Sequence, residues 1–105
     1  MIRLTMIKGK NVPQFVCDSC GAPITNAKQA AVVFPNFISE NQSTGLAHVH
    51  KNFVVGDCMT KAETKIRTNG QEPGWEELST HIAYLAANTG LTDKDIEAVL
   101  SLPDR

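Results

Sequence analysis

The stretch "FVCDSCGAPI" at residues 15–24 decides how this chain of 105 residues is expected to fold. Cys17 and Cys20 stand two residues apart, and Gly21 follows them where a tight turn needs a residue that accepts a positive φ. Such a pair occurs in disulfides, redox centres and metal sites. The chain has 3 cysteines in all, so a complete disulfide framework would leave one thiol over. The odd count favours a redox pair or a metal site.

A metal site could be completed by residues that come later in the chain, namely His48, His50 and Cys58. Structural zinc is usually held by four thiolate and imidazole ligands in a tetrahedron. His48 and His50 lie two residues apart in a predicted strand, so they face the same side and compete for one place. We favour His50, because it is nearer the turn that carries Cys58 into the first turn of a helix. The predicted ligands are therefore Cys17, Cys20, His50 and Cys58, and the helix N-terminus is expected to favour the thiolate form of Cys58.

The order of these features resembles that of a treble-clef zinc finger over roughly residues 13–69. The resemblance depends on Cys17, Cys20 and Gly21 for a zinc knuckle and on His50 and Cys58 for the second ligand pair. It implies Zn²⁺ as the cofactor and a small zinc-stabilised β-hairpin followed by a helix. Treble clefs usually take both later ligands from the start of the helix, whereas these two are spaced H-x7-C. A zinc ribbon is the nearest alternative.

Three other interpretations of the cysteines stay open. The thiols could be buried without any metal, since free cysteine behaves as a small core residue. A redox C-x-x-C would be expected between a strand and a long helix, but Pro23 and β-type residues follow Cys20. A metalloenzyme could use an open zinc position at Cys17, Cys20 and His50. However, Asn52 stands where the zinc deaminases carry a catalytic Glu, so the sequence favours a non-catalytic site.

The rest of the chain predicts an α+β fold. A helix is expected from Asp57, as its N-cap, to Asn69-Gly70, with Cys58 and Ala62 on its inner face. The other predictions are strands at 2–7, 13–16, 30–37 (halted at Pro35) and 46–55, a loop at 38–45 and a turn or linker at 71–74. Residues 1–70 would form the zinc-binding module, and residues 71–105 a helical hairpin packed on it in one compact unit.

An apolar stripe marks the first helix of that hairpin: Trp75, Leu78, Ile82, Leu85 and Ala86. Trp75, at its start, is expected to anchor the helix against the zinc module. The second helix is predicted to begin at Thr92 as N-cap, with Asp95 in the capping-box position and Leu91 placed to contact Ile96.

The segment "AANTGLTDKDIEAVL" at 86–100 is similar in spacing to a helix-turn-helix DNA-binding motif. The similarity depends on Ala86, Gly90, Leu91, Ile96 and Val99. In that motif the second helix enters the major groove. Here the exposed positions of that helix would include Asp93, Asp95 and Glu97, which phosphates repel. The segment is therefore expected to be a structural helical hairpin, or a surface that binds protein, rather than a DNA-binding motif.

The charge of the chain is unevenly distributed. Residues 1–71 carry eight Lys or Arg and four Asp or Glu, a net charge of +4, whereas residues 72–105 carry two and seven, a net charge of −5. We therefore expect a macromolecular partner, either a protein or a nucleic acid bound by the basic first half through Arg3, Lys8, Lys10, Lys28, Lys51, Lys61, Lys65 and Arg67. No apolar run approaches the roughly 20 residues of a membrane span, and the start of the chain does not read as a signal peptide. We expect a cytoplasmic, non-catalytic binding or regulatory protein without a membrane partner.

Overall fold

Two small antiparallel sheets and three helices form an α+β fold in the computed structural model, which describes residues 1–36 and 44–102. Most of the predicted loop at 38–45 lies outside these residues. The strands are β1 (Ile2–Ile7), β2 (Lys10–Val16), β3 (Pro23–Ile24), β4 (Ala30–Pro35), β5 (Ala47–His50) and β6 (Pro73–Glu77). The helices are α1 (Cys58–Thr68), α2 (Leu78–Asn88) and α3 (Asp93–Leu100), and a short 3-10 helix covers Ala27–Gln29.

The first sheet presents the cysteine knuckle. Its strand order is β1-β2-β3, and β1 and β2 form a hairpin that turns at Lys8-Gly9. Both turn residues have positive φ, 50° for Lys8 and 77° for Gly9, as a tight hairpin turn requires. Strands were predicted at 2–7 and 13–16, and both are confirmed, the second one beginning earlier at Lys10. Val16, at the end of β2, is buried and leads directly into Cys17.

The second sheet forms the centre of the core. Its order is β5-β4-β6, with β4 hydrogen-bonded to an antiparallel strand on each side. Four consecutive residues of β4, Ala30 to Val33, are buried. Because successive side chains of a strand point to opposite faces, this run shows that both faces of β4 are covered, and α1 and α2 both pack against it.

Helix α1 begins and ends where it was predicted, but its N-terminus is capped by a different residue. Asp57 occupies the N-cap position without making a side-chain hydrogen bond to the helix. Instead, the side-chain oxygen of Asn52 accepts a hydrogen bond of 3.2 Å from the backbone N–H of Thr60, in the first turn. The Asn52 amide also donates to Oγ1 of Thr60 at 2.8 Å. The cap therefore comes from the loop after β5, and it ties that loop to the helix.

The turn predicted at 71–74 is wrong in its second half, because Pro73 and Gly74 are the first residues of β6. A proline at the start of an edge strand leaves only one ladder hydrogen bond unmade. A Cβ on Gly74 would lie 2.8 Å from Oδ1 of Asn36 and 2.9 Å from the ring of Phe34, so the close pairing with β4 suits glycine. The sheet thus includes residues from both sides of the predicted linker.

Trp75 is not the buried anchor that we predicted. It lies in β6 opposite Val33, and 49% of its side chain is exposed. The anchoring residue is Leu78, the first residue of α2, which is 1% exposed. Leu78, Ile82 and Leu85 lie on one helix as predicted, but only Leu78 is buried, and the first member of the stripe, Trp75, belongs to a strand.

Helix α2 packs on β4, but several apolar residues of α2 and α3 remain exposed. Ile82 and Leu85 of α2 and Ile96 and Val99 of α3 are each at least 38% exposed. The predicted capping box of α3 is confirmed by reciprocal hydrogen bonds between Thr92 and Asp95. Among the described residues, no helix is both long and apolar enough to cross a membrane.

Candidate metal centre

The knuckle after β2 is a closed turn that presents two sulfur atoms. The N–H of Gly21 donates to the carbonyl of Cys17, and the N–H of Cys17 donates to the carbonyl of Ala22, both at 2.9 Å. Gly21 has a φ of +78°, a conformation that glycine adopts without steric cost. Cys17 is fully buried, whereas Cys20 is exposed.

The side chains of two other knuckle residues fix its position against the rest of the fold. Asp18 and His48 make two hydrogen bonds of 2.8 Å: the N–H of Asp18 donates to the His48 carbonyl, and the N–H of His48 donates to the Asp18 carboxylate. Ser19 Oγ donates to the carbonyl of Cys58 at 2.7 Å. The knuckle is thus attached to β5 on one side and to the start of α1 on the other, the two elements that carry His50 and Cys58.

The structure brings together the four residues predicted as ligands. One donor atom each from Cys17, Cys20, His50 and Cys58 lies within 4.8 Å of every other, and the four could hold a metal ion. Cys20 Sγ and His50 Nδ1 are 3.5 Å apart. His50 is 7% exposed and Cys58 is 3% exposed, so only the Cys20 side of the cluster faces solvent.

The surroundings change the acidity of the buried thiols in opposite directions. Burial opposes ionisation of Cys17, but hydrogen bonds from the backbone of Cys20, His50 and Ser19 outweigh it and lower its pKa from 9.0 to about 6. For Cys58, burial and the neighbouring sulfurs of Cys17 and Cys20 raise the pKa from 9.0 to about 12. The helix N-terminus was expected to favour the Cys58 thiolate. In the cluster without a metal ion, the pKa of Cys58 is instead raised, because burial and the neighbouring sulfurs oppose its ionisation.

His48, the alternative ligand, does not belong to the cluster. Its ring lies 4.9 Å from that of Phe15 and 6.2 Å from that of His81, between centroids. Its Nδ1 is 3.8 Å from the Asp18 carboxylate and, among the described residues, makes no hydrogen bond. Burial lowers the pKa of His48. The two histidines share a strand face, but only His50, at the end of β5, reaches the sulfurs.

Sequence reasoning missed three residues that position the site. Asp18 and Ser19 lie between the two cysteines of the C-x2-C motif. Asn52 was considered only as the position where a catalytic Glu was lacking. Since Asn and Ser commonly bond to nearby backbone groups, their place next to predicted ligands was a signal for such hydrogen bonds, but the partners could not be read from the sequence.

Comparisons with known proteins find no match: no family model, no curated protein and no solved structure is similar to this chain. What is known of the site therefore depends on its own geometry. That geometry defines a cluster of three cysteines and one histidine that could bind a metal ion.

Proposed function

We propose that this protein is a small, non-catalytic zinc-binding module that presents a surface to a protein partner. The single observation that carries the proposal is the cluster of Cys17, Cys20, His50 and Cys58, whose donor atoms lie within 4.8 Å of one another. Each pair of ligands comes from a different part of the chain, and one shared ion would join them.

The donor set and its dimensions fit zinc. Zn–S bonds of about 2.3 Å place the sulfurs of a tetrahedral site about 3.8 Å apart, and imidazole lies slightly closer. The 3.5 Å between Cys20 Sγ and His50 Nδ1 agrees with such an edge. Three thiols and an imidazole are soft or borderline ligands. Magnesium and calcium prefer oxygen ligands, so they would bind poorly here. When bound, zinc would supply a positive charge that stabilises the thiolates, including that of Cys58.

The arrangement supports a treble-clef-like interpretation. The knuckle follows one hairpin strand, His50 ends another, and Cys58 is the first residue of α1. With four protein ligands, no coordination position is left for substrate, as is typical of structural zinc. Asn52 also bonds to Thr60 rather than pointing to a reacting group, which leaves the deaminase-like alternative without a base.

A protein partner is favoured over a nucleic acid because three of the eight basic residues of the first half are already paired with carboxylates. Lys51 contacts both carboxylate oxygens of Glu77 at 2.6 and 2.7 Å. Lys61 lies 3.6 Å from Asp57, and Arg67 lies 3.8 Å from Glu63. Binding to nucleic acid would weaken steeply between low and moderate salt, so absence of any binding at low salt supports a protein partner.

Elemental analysis of protein purified without added metal tests the site. We expect about one zinc per chain, and we expect Cys58→Ser and His50→Ala to lose most of it. His48→Ala is the matched control, because His48 lies on the same strand outside the cluster, and it should retain the metal. Equal loss in both histidine variants would contradict the assignment. Unchanged metal affinity with altered activity in Cys58→Ser would instead favour a metalloenzyme with an open site.

A further inference from the structure

Strand β1 forms one edge of the first sheet, and among the described strands it pairs with β2 alone. Its only extensive contacts with a described element are also with β2. The pairing runs without a bulge from Ile2 opposite Phe15 to Ile7 opposite Lys10. An edge of this length presents backbone N–H and C=O groups that another strand can bind.

The hydrogen bonds of the hairpin show which residues of β1 direct their backbone groups to the open edge. The N–H of Val16 donates to the carbonyl of Met1 at 2.7 Å, and the Met1 nitrogen donates to the carbonyl of Val16 at 2.8 Å, so these two residues form a hydrogen-bonded pair. Such pairs alternate along an antiparallel ladder, so the odd-numbered residues of β1 bond to β2. The backbone groups that point outward are those of Ile2, Leu4 and Met6.

The same three residues give β1 an apolar face. Ile2, Leu4 and Met6 alternate along the strand and are 62%, 67% and 66% exposed, whereas Arg3 lies on the opposite face. Edge strands are often protected by proline, a bulge or several charges, but β1 has no proline or bulge and only one charge, that of Arg3. On β2, by contrast, Pro13 lies opposite Leu4 and offers no N–H to the far edge of the hairpin.

We propose that a second copy of this chain binds at this edge, as a two-fold dimer in which the two β1 strands pair antiparallel about Leu4. In this register Leu4 faces Leu4 of the partner subunit, and Ile2 faces Met6 of the partner subunit. The outward backbone groups of both strands are then used in about six hydrogen bonds. Arg3 faces Thr5 of the partner subunit, so no like charges lie directly opposite each other.

A second copy is favoured over an unrelated strand because this edge is complementary to itself and the hairpin lacks a further neighbour. A two-stranded ribbon alone is marginally stable in water, whereas three or more strands with an apolar face can be stable. Two copies would join their hairpins into one sheet with the strand order β2-β1-β1-β2, and the two-fold axis would use each contact twice. The inference rests on the proposed binding function and deepens it by naming the partner.

Sedimentation equilibrium of the native chain and of the variants Leu4→Lys and Leu4→Glu tests the arrangement, with metal content measured in every sample. We expect the native chain to be dimeric and each variant to dissociate at least ~10-fold more readily, because like charges would meet at the two-fold axis. An equimolar mixture of the two variants should recover the dimer, since opposite charges then meet. Val55→Lys is the control: Val55 is 58% exposed and lies outside β1, so dimerisation should be unchanged.

The possible outcomes separate this inference from the zinc site. A native chain that stays monomeric with full metal content would overturn the dimer and leave the zinc module standing. Charged variants that dimerise like the native chain would also overturn it, as would loss of the dimer without recovery on mixing, which indicates another register or another surface. A dimer without bound metal would leave this inference standing and contradict the zinc site.

Amide hydrogen exchange of the native chain gives a second measurement, which decides the question if circular dichroism shows that a charged variant is misfolded. The N–H groups of Ile2, Leu4 and Met6 point away from β2, so they should be protected from exchange in the dimer and lose that protection on dilution. The N–H groups of Arg3 and Thr5 bond within the hairpin and should stay protected at both concentrations. Rapid exchange of the first three amides in a dimeric sample would overturn the proposal.

Discussion

Leu78 connects the C-terminal helices to the core, and its truncation gives a well-defined prediction. Leu78 is 1% exposed at the start of α2, where that helix packs on β4. Truncation of a buried leucine to alanine removes its transfer free energy and leaves a cavity, which together cost about 2–5 kcal/mol. Domains of this size are stable by about 5–15 kcal/mol, so Leu78→Ala should remove a large share of the free energy of unfolding.

Leu46→Ala is the matched control, since Leu46 is the same residue type but 42% exposed. Its truncation leaves no closed cavity and should cost about 1 kcal/mol. The assay is urea unfolding of the metal-loaded protein, followed by fluorescence of Trp75 and by circular dichroism. The expected result is a lower midpoint for Leu78→Ala with an unchanged slope. Equal costs for the two variants would refute the assignment of Leu78 as the anchor, and separate transitions by the two probes would show that the helices unfold independently of the sheet.

Three further predictions concern the site and its surroundings. Metal affinity should rise with pH between 7 and 9, because the Cys58 thiol, with its pKa raised to about 12, must lose a proton on binding. Competition with a chelator measures the slope of the logarithm of metal affinity against pH. This slope should fall by one in Cys58→Ser, and an affinity independent of pH would contradict the prediction. Asn52→Ala should lower the free energy of unfolding by about 1 kcal/mol, whereas Asp57→Ala should not, and the reverse order would disprove the proposed cap. Phe53→Gly should be more stable than Phe53→Ala by about 1 kcal/mol, because Phe53 has a φ of +71°, and equal stability would show that this position carries no strain.

The sequence contained enough information to select the four residues of the candidate metal site. Ligand type and spacing limited the choice to Cys17, Cys20, Cys58 and one of two histidines. The choice of His50 followed from its position at the end of the strand, and the structure places it beside the sulfurs. Local signals also predicted the capping box of α3, since both of its partners lie within one helical turn.

Features whose distant partners carry no recognisable motif could not be predicted. Nothing in "QEPGWEE" at 71–77 indicates a strand, because its pairing depends on β4, about forty residues earlier in the chain. The return strand was predicted over 46–55 but ends at His50, where the chain turns through the positive φ of Phe53. The high pKa of Cys58 has the same kind of origin, since it comes from burial in the assembled fold and from the sulfurs of a separate knuckle.

The central claim is that one metal ion joins the knuckle to β5 and α1 and thereby stabilises the fold. Thermal unfolding before and after complete removal of metal by a chelator, with the metal content verified, tests it most directly. Structural zinc in finger peptides contributes about 10–16 kcal/mol of apparent binding free energy, so the midpoint should fall steeply and recover when zinc is added back. An unchanged midpoint in protein shown to be free of metal would contradict the claim.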